Sequence, residues 1–148
     1  MKPLERFAEY AAAFETFFET DDAAVLEPFF TEDAVYEIFG GPPFAGRHEG
    51  REAVFAHLRA SLNGFDRLFA TRELELLEGP ALRDGAVWLR WRASYRSPGA
   101  PELVIDGEET ARFTGDRIVR LEDVIPLPMS ELVERWFGHY AEKLSAGA

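Results

Sequence analysis

Two acidic residues stand where the alternation of their strands calls for apolar ones. In the stretch from Leu103 to Phe113, Leu103, Ile105, Ala111 and Phe113 share one face, and Glu109 falls among them. From Arg117 to Ile125, Asp123 shares a face with Val119, Leu121 and Ile125. Side chains alternate between the two sides of a strand, so a carboxyl in phase with apolar neighbours is turned toward the core. A bulge at Asp106-Gly107 would change the phase upstream but leaves Glu109 with Ala111 and Phe113. A three-residue loop, Thr114 to Asp116, keeps both apolar sets together, with Ala111 opposite Val119 and Glu109 opposite Leu121. Glu109 and Asp123 are then diagonal neighbours, about 7–8 Å apart at Cα. Two carboxyls that close in a dry site cannot both ionise cheaply. One keeps a proton beside an ionised partner, an arrangement suited to general acid/base work. The structural alternative is a solvated rim position, or neutralisation by an arginine such as Arg47.

Other residues could complete such a site. Tyr36 shares a face with Ile38, and its phenol is a candidate donor to a substrate oxygen; a buried tyrosine that only satisfies its own hydroxyl is the alternative. Phe14, Phe18, Ile38, Leu58, Leu89 and Trp91 are candidate substrate-binding walls, or plain core. His48 and Arg47 follow Pro42-Pro-Phe-Ala-Gly46 in a presumed mouth loop, where a cation could anchor an anionic group. His57 reads as a surface or packed histidine. The run His48-Glu49-Gly-Arg-Glu52 lacks the second histidine of a zinc helix, and no metal site is expected. Phosphate-binding glycine loops and the nucleophile-elbow pattern G-x-S-x-G do not occur.

These residues need elements to hold them. Leu4, Phe7, Ala11, Phe14 and Phe18 make one stripe of an amphipathic helix from Pro3 to about Thr20. Asp21 or Asp22 caps a short helix from Ala23 to about Glu27. Ala34 to Phe39 reads as a strand stopped by Gly40-Gly-Pro-Pro43, and a helix from about Gly50 to Leu62 buries Val54, Phe55, Leu58 and Leu62. Strands follow at Arg72 to Glu78, Ala86 to Arg96, Leu103 to Phe113 and Arg117 to Ile125. Ser130 caps a last helix carrying Leu132, Val133, Trp136, Phe137, Tyr140 and Leu144. Helices first and strands afterwards predict an α+β domain. The outer face, with Trp88, Arg90, Arg92, Arg112 and Arg120 among Glu73, Glu75, Glu108 and Glu122, reads as ion-paired and solvated.

The chain has 148 residues, with 27 acidic against 16 basic side chains and a formal charge of −11. That length predicts one domain over 1–148, with a core at about 4–126 and a C-terminal helix at about 130–144. Strong acidity argues against nucleic-acid partners, and no apolar run approaches the ~18 residues of a membrane span. The absence of Cys excludes disulfides and thiolate chemistry. Nothing resembles a signal peptide, so a cytoplasmic location is expected. Two Lys against fourteen Arg point to a GC-rich bacterial genome.

The segment Phe29-Phe-Thr-Glu-Asp-Ala-Val-Tyr-Glu37, the glycine-proline loop after it, and the ending Arg112-Phe-Thr-Gly-Asp-Arg-Ile-Val-Arg-Leu-Glu-Asp123 together resemble the nuclear transport factor 2-like superfamily, in its SnoaL-like branch. The resemblance covers roughly residues 4 to 126. It implies a cone, a strongly curved mixed or antiparallel sheet wrapped around the N-terminal helices with an apolar pocket at one end, here with an extra C-terminal helix. Ketosteroid isomerases of this fold place a tyrosine where this chain has Phe14 and a base where it has Ile38, and their second acid aligns with Glu109. Limonene epoxide hydrolase-like members use an aspartate similar to Asp123, with partners on the strand that holds Leu89, Trp91 and Ala93. SnoaL-like polyketide cyclases use an acid on the last strand, which Asp123 matches. Related folds pair through the convex sheet face, which implies a homodimer anchored at Trp88. The expectation is a pocket for a small hydrophobic ligand, with cofactor-independent isomerase, cyclase or hydrolase chemistry by Asp123, Glu109 and Tyr36. A non-catalytic ligand-binding domain and a dimeric scaffold of the same fold are the alternatives.

Overall fold

The structure, a computed structural model, describes residues 2–146. Helix α1 (Pro3–Thr20) begins on a proline in its first turn, where a missing N–H costs nothing. It buries Phe7, Tyr10 and Phe17, so its inward stripe is rotated from the expected one: Ala11 is exposed and Tyr10 takes its place. Asp21 ends the helix in the left-handed region (φ 60°), and its N–H reaches the Phe17 carbonyl at 2.8 Å. Arg59 and Arg67 hold its carboxylate. Asp22 then caps a 3-10 turn (Ala23–Phe29), accepting from the Ala24 N–H at 3.0 Å.

Six strands follow: β1 (Phe30–Gly40), β2 (Gly46–Glu49), β3 (Thr71–Arg83), β4 (Ala86–Arg96), β5 (Leu103–Thr114) and β6 (Arg117–Ile125). Helix α2 (Arg51–Gly64) lies between β2 and β3, and α3 (Leu127–Ala146) follows β6. The strands form one sheet in the order β2-β1-β6-β5-β4-β3. All neighbours are antiparallel except β1 and β6, so the sheet is mixed. The long hairpin β3–β4 turns on Asp84 and Gly85, both at positive φ as a tight primed turn requires. Irregularities in β3 at Leu76/Glu78 and Glu78/Ala81 bend it. The open, curved sheet encloses an apolar core shared with α1 and α2, including Phe17, Phe30, Val54, Leu103, Ile105 and Leu121. The fold is α+β, with the C-terminal helix added to the cone.

Three local expectations give way. The segment after Gly41 is not a mouth loop throughout: Gly46–Glu49 pairs with β1 as an edge strand, with His48 opposite Tyr36. No bulge occurs at Asp106-Gly107; β5 runs in unbroken register against β4 from Ala111–Val87 to Leu103–Tyr95. Gly107 faces Trp91, and a Cβ there would lie 2.4 Å from the indole Cζ2. The glycine makes room for a ring. Ser130 does not cap α3, which begins at Leu127 with the Met129 and Ser130 N–H groups on the Pro126 carbonyl. Instead its buried Oγ accepts from the Gly41 N–H at 3.1 Å and donates to the Gly41 carbonyl at 3.2 Å. Trp136 secures the other half of the helix, donating to the Pro101 carbonyl at 2.9 Å. No helix among the described residues is long and apolar enough to cross a membrane.

Candidate active site

The two central strands bring the carboxyls together. The β5–β6 turn has two residues, Gly115 and Asp116, so Thr114 pairs with Arg117 and Phe113 with Ile118. That register alone would turn β6 inside out. A bulge beyond Phe113 absorbs Val119 and restores the phase, leaving Ile118 and Leu121 buried. The expected register is therefore moved by two residues, and Glu109 lies directly opposite Asp123 rather than diagonal to it. Directly opposed residues sit about 4.5–5.5 Å apart at Cα. Leu89 on β4 is opposite Glu109, and Ile38 on β1 is beside Asp123, so the acids are the middle of a row crossing four strands.

Asp123 is only 7% exposed. The Tyr36 hydroxyl donates to its Oδ2, a link between strands separated by 87 residues in sequence. Its Oδ1 is fully enclosed, with no N–H or hydroxyl donor of the described residues on it. The Glu109 carboxyl and the Trp91 indole approach Asp123 closely enough to favour its ionised form, Glu109 by sharing a hydrogen bond with it. Burial outweighs these influences and pushes the Asp123 pKa up to about 6. Burial, and then the Asp123 charge, raise Glu109 well above the usual carboxyl range. Glu109 is half-buried and lines a cavity that opens to the surface. Both acids are thus pushed toward their protonated forms, Asp123 by burial and Glu109 by burial and the Asp123 charge. Arg47 does not neutralise it: that guanidinium binds Glu37 at 3.1 Å and Glu49 at 2.7 Å. Among the described residues no arginine, lysine or histidine is ion-paired with either acid.

The acids open onto a cavity of about 630 Å³, within the range of small-molecule sites. Phe14, Leu58, Leu89 and Trp91 line it, with Tyr36, Glu109 and Asp123. Phe18, Ile38 and His48 do not. Phe18 lies under the Arg72 guanidinium, 4.4 Å from its ring centre, and Ile38 is buried in the core. His48, placed by β2, stacks on His57 at 3.8 Å, and His57 meets the Tyr36 ring edge-on at 5.6 Å. Burial and the neighbouring His48 lower the His57 pKa to about 4, so it is a neutral packing ring. The mouth lies between α1 and β3, where Ala8, Ala11, Leu74, Leu76 and Pro80 are exposed lining residues.

Two features of the cavity escaped the sequence reading. Tyr10 lines it from α1, one turn before Phe14, and burial with the charges of Glu109 and Asp123 raises its pKa well above normal. Its signal was the spacing Phe7-Tyr10-Phe14-Phe17, a second helical stripe beside the one chosen. Asp66 lines the cavity as well, accepting from Arg72 Nε at 2.8 Å and from the Tyr95 hydroxyl at 3.1 Å. Burial raises the Asp66 pKa against the pull of Arg72. No local spacing announces that cluster, because its members come from three separate elements. A second hollow, about 430 Å³, lies away from the acids and is lined by Glu78, Arg83, Trp88, Arg90 and others. Its charges are already engaged, Arg90 with Glu78 and Arg83 over the Trp88 ring, which suits a surface more than a binding site.

Comparison with known proteins agrees with this architecture. Bal32a, from a soil-derived mobile gene cassette, shares 24% identity, covers 91% of this chain and 99% of its own, and superposes with a TM-score of 0.67. A Rhodopseudomonas palustris protein provisionally named an isomerase has 17% identity, covering 90% of this chain and 96% of its own, with a TM-score of 0.70. A Sinorhizobium meliloti protein provisionally named a polyketide cyclase has 23% identity over 78% of this chain and 93% of its own, at a TM-score of 0.55. At these identities the likeness is one of fold. No curated protein matches the chain. The family model of the SnoaL-like domain matches residues 9–121. With that match over most of its length, the chain belongs to the SnoaL-like domain family.

Proposed function

We propose that this protein is a cofactor-independent acid/base enzyme acting on a small, mostly apolar molecule, with Asp123 as proton acceptor and Glu109 as proton carrier. The observation that carries this reading is the opposed pair itself, a buried and a half-buried carboxyl lining one cavity with no cationic partner among the described residues. A structural ion pair would have an arginine. Asp123, raised to about 6, is ionised at neutral pH yet basic enough to take a proton in the transition state. Glu109 holds a proton it can return to the product. Tyr36 fixes the Asp123 carboxylate through Oδ2, and Glu109 stands directly opposite it on the neighbouring strand. The apolar walls exclude water and keep the substrate's reacting group against the acids. Isomerisation, cyclisation and hydrolysis are the reaction types compatible with a single base and a single acid.

The test is turnover of carbonyl- and hydroxyl-bearing apolar compounds by the wild type, Asp123→Asn and Glu109→Gln. Loss of turnover in both variants, with folding and ligand binding retained, supports the reading. Unchanged turnover in Asp123→Asn removes it and leaves a ligand-binding domain of the same fold. The open cavity favours either of these over a scaffold plugged by its own side chains.

The same proposal includes a homodimer through the outer sheet face. Trp88 is a poor anchor for it, being 8% exposed with the Arg83 guanidinium 3.3 Å from its ring centre. Phe39 and Val124, adjacent across β1 and β6, and nearby Leu127 are the exposed apolar residues available to it. Sedimentation showing a monomer at every concentration would reject the dimer.

A further inference from the structure

Trp91 on β4 stands opposite Gly107 on β5, and a Cβ on that glycine would lie 2.4, 2.8 and 3.0 Å from Cζ2, Cε2 and Cη2 of the indole. Cζ2 is bonded to both of the others. Distances that grow so little from the middle carbon to its neighbours belong to an atom standing over the ring face. An approach to the ring edge would set those neighbours much farther off. The indole therefore lies flat on β5, where any side chain at position 107 would press into it. Cε2 carries Nε1, so the N–H edge of the ring is seated with the rest. Trp91 also lines the cavity.

The seat carries the ring toward the acids. Glu109 follows Gly107 by two residues on the same face of β5, and Asp123 is opposite Glu109 on β6. Trp91 and Asp123 are thus two strands apart, on the order of 10–12 Å at Cα, and only a side chain laid across the intervening strand closes that gap. The indole approaches Asp123 closely enough to favour its ionised form and has no such influence on Glu109. Its N–H is also uncommitted. Trp136 donates to the Pro101 carbonyl at 2.9 Å, whereas the Trp91 N–H completes no hydrogen bond among the described residues.

Three groups reach the Asp123 carboxyl: the Tyr36 hydroxyl, Glu109 and the Trp91 indole. A phenol and a carboxyl carry protons that can move, but an indole N–H only donates. Its effect on the pair is therefore one-sided. We propose that Trp91 is a positioning residue of the acid pair: seated on Gly107, it turns its N–H onto the Asp123 carboxylate when that group ionises, and so assigns the charge to Asp123 and the proton to Glu109. This rests on the acid/base reading of the pair and adds the side chain that separates the two roles. Gly107 belongs to the same device, since no other residue type leaves the ring that place.

The indole N–H resonances of 15N-labelled protein test this without substrate, between pH 4 and pH 9. The Trp91 signal, identified by its loss in Trp91→Phe, is expected to move with a midpoint at about 6, while those of Trp88 and Trp136 stay. Tyr10 and Tyr36 face Asp123 from α1 and β1 and keep their protons over that range. His57 meets the Tyr36 ring and His48 stacks on His57; Asp123→Asn, which should abolish the movement, separates both from the acid. In Trp91→Phe, which keeps a ring over Gly107, the Asp123 carboxyl 13C signal should titrate roughly one pH unit higher than in the wild type. A Trp91 signal that stays still, or whose movement survives Asp123→Asn, overturns the proposal and leaves the acid/base reading standing. So does an Asp123 midpoint unchanged by Trp91→Phe. Unchanged turnover in Asp123→Asn removes the acid/base reading alone, with the indole still following the carboxyl.

Discussion

Tyr36 on β1 donates its phenolic hydrogen to Oδ2 of Asp123 on β6, tying the floor of the cavity across the one parallel pairing in the sheet. The bond engages Oδ2 and leaves Oδ1 enclosed. It also makes the tyrosine part of the charge balance of the site, since no cation among the described residues shares that task.

Replacing Tyr36 with Phe should leave both Asp123 oxygens unpartnered and raise the aspartate pKa further. A hydrogen bond to a charged group is worth about 1.5–3 kcal/mol. Urea unfolding of Tyr36→Phe should show a loss of that size at pH 8 and a smaller one at pH 5, where Asp123 is protonated. An equal loss at both values would mean that the hydroxyl matters for packing and not for the charge.

The acid pair gives stability an unusual pH slope. Asp123 rises from its ordinary 3.8 to about 6 on folding, so the folded state binds more protons than the unfolded chain between those values. Stability must then fall as pH climbs through that window, by on the order of 3 kcal/mol for the full shift. Glu109 acts in the same direction. Asp21, Glu37 and Asp106, held low by arginines, act oppositely and lose their contribution as pH drops below the usual carboxyl range. Melting temperature should therefore peak at the acid end of that window, at about pH 4. Asp123→Asn should flatten the alkaline side of that peak, and an unchanged profile in the variant would contradict the buried ionisation.

Gly107→Ala should push on the ring of Trp91, because the added methyl would lie 2.4 Å from the indole. Overpacking of this kind costs about 1–3 kcal/mol, and the ring has the cavity as its free direction. The expected readout is a shift in tryptophan emission together with weaker ligand binding. A variant with wild-type emission and affinity would show that the strand, and not the ring, had moved.

Ser130→Ala removes both halves of the clasp to Gly41. The Gly41 N–H and carbonyl lose a buried partner, at a cost of about 1–3 kcal/mol. Hydrogen exchange at Gly41 should accelerate while amides of β5 and β6 keep their protection. Equal acceleration throughout the sheet would mean that α3 is required for global folding.

Much of the architecture could be read from the chain because side-chain periodicity reports burial directly. The strand Ala86–Arg96 and the bounds of α1 follow from it. Glu109 and Asp123 stood out because a charged residue in an apolar phase is itself a signal. Their register was misjudged because the Val119 bulge shifts pairing without altering composition, and parity was preserved by a device the pattern does not display. Tyr10 was passed over because two neighbouring stripes on α1 are both apolar. His48 was placed in a loop because a four-residue edge strand has too few alternations to show a period. Asp66, Arg72 and Tyr95 meet only in three dimensions, and no spacing along the chain could join them.

The acids lie on β5 and β6, each flanked by a strand on both sides, whereas the entrance is framed by β3, which has a neighbour on one side only. Local opening is least costly where backbone pairing is single-sided. Guest exchange can thus proceed through fraying of a border that bears no chemistry, while the distance between the two carboxyls is held by the stiffest part of the sheet. How fast a molecule enters and how accurately it is aligned become separately adjustable: substitutions at Leu74, Leu76 or Pro80 tune the first without touching the second.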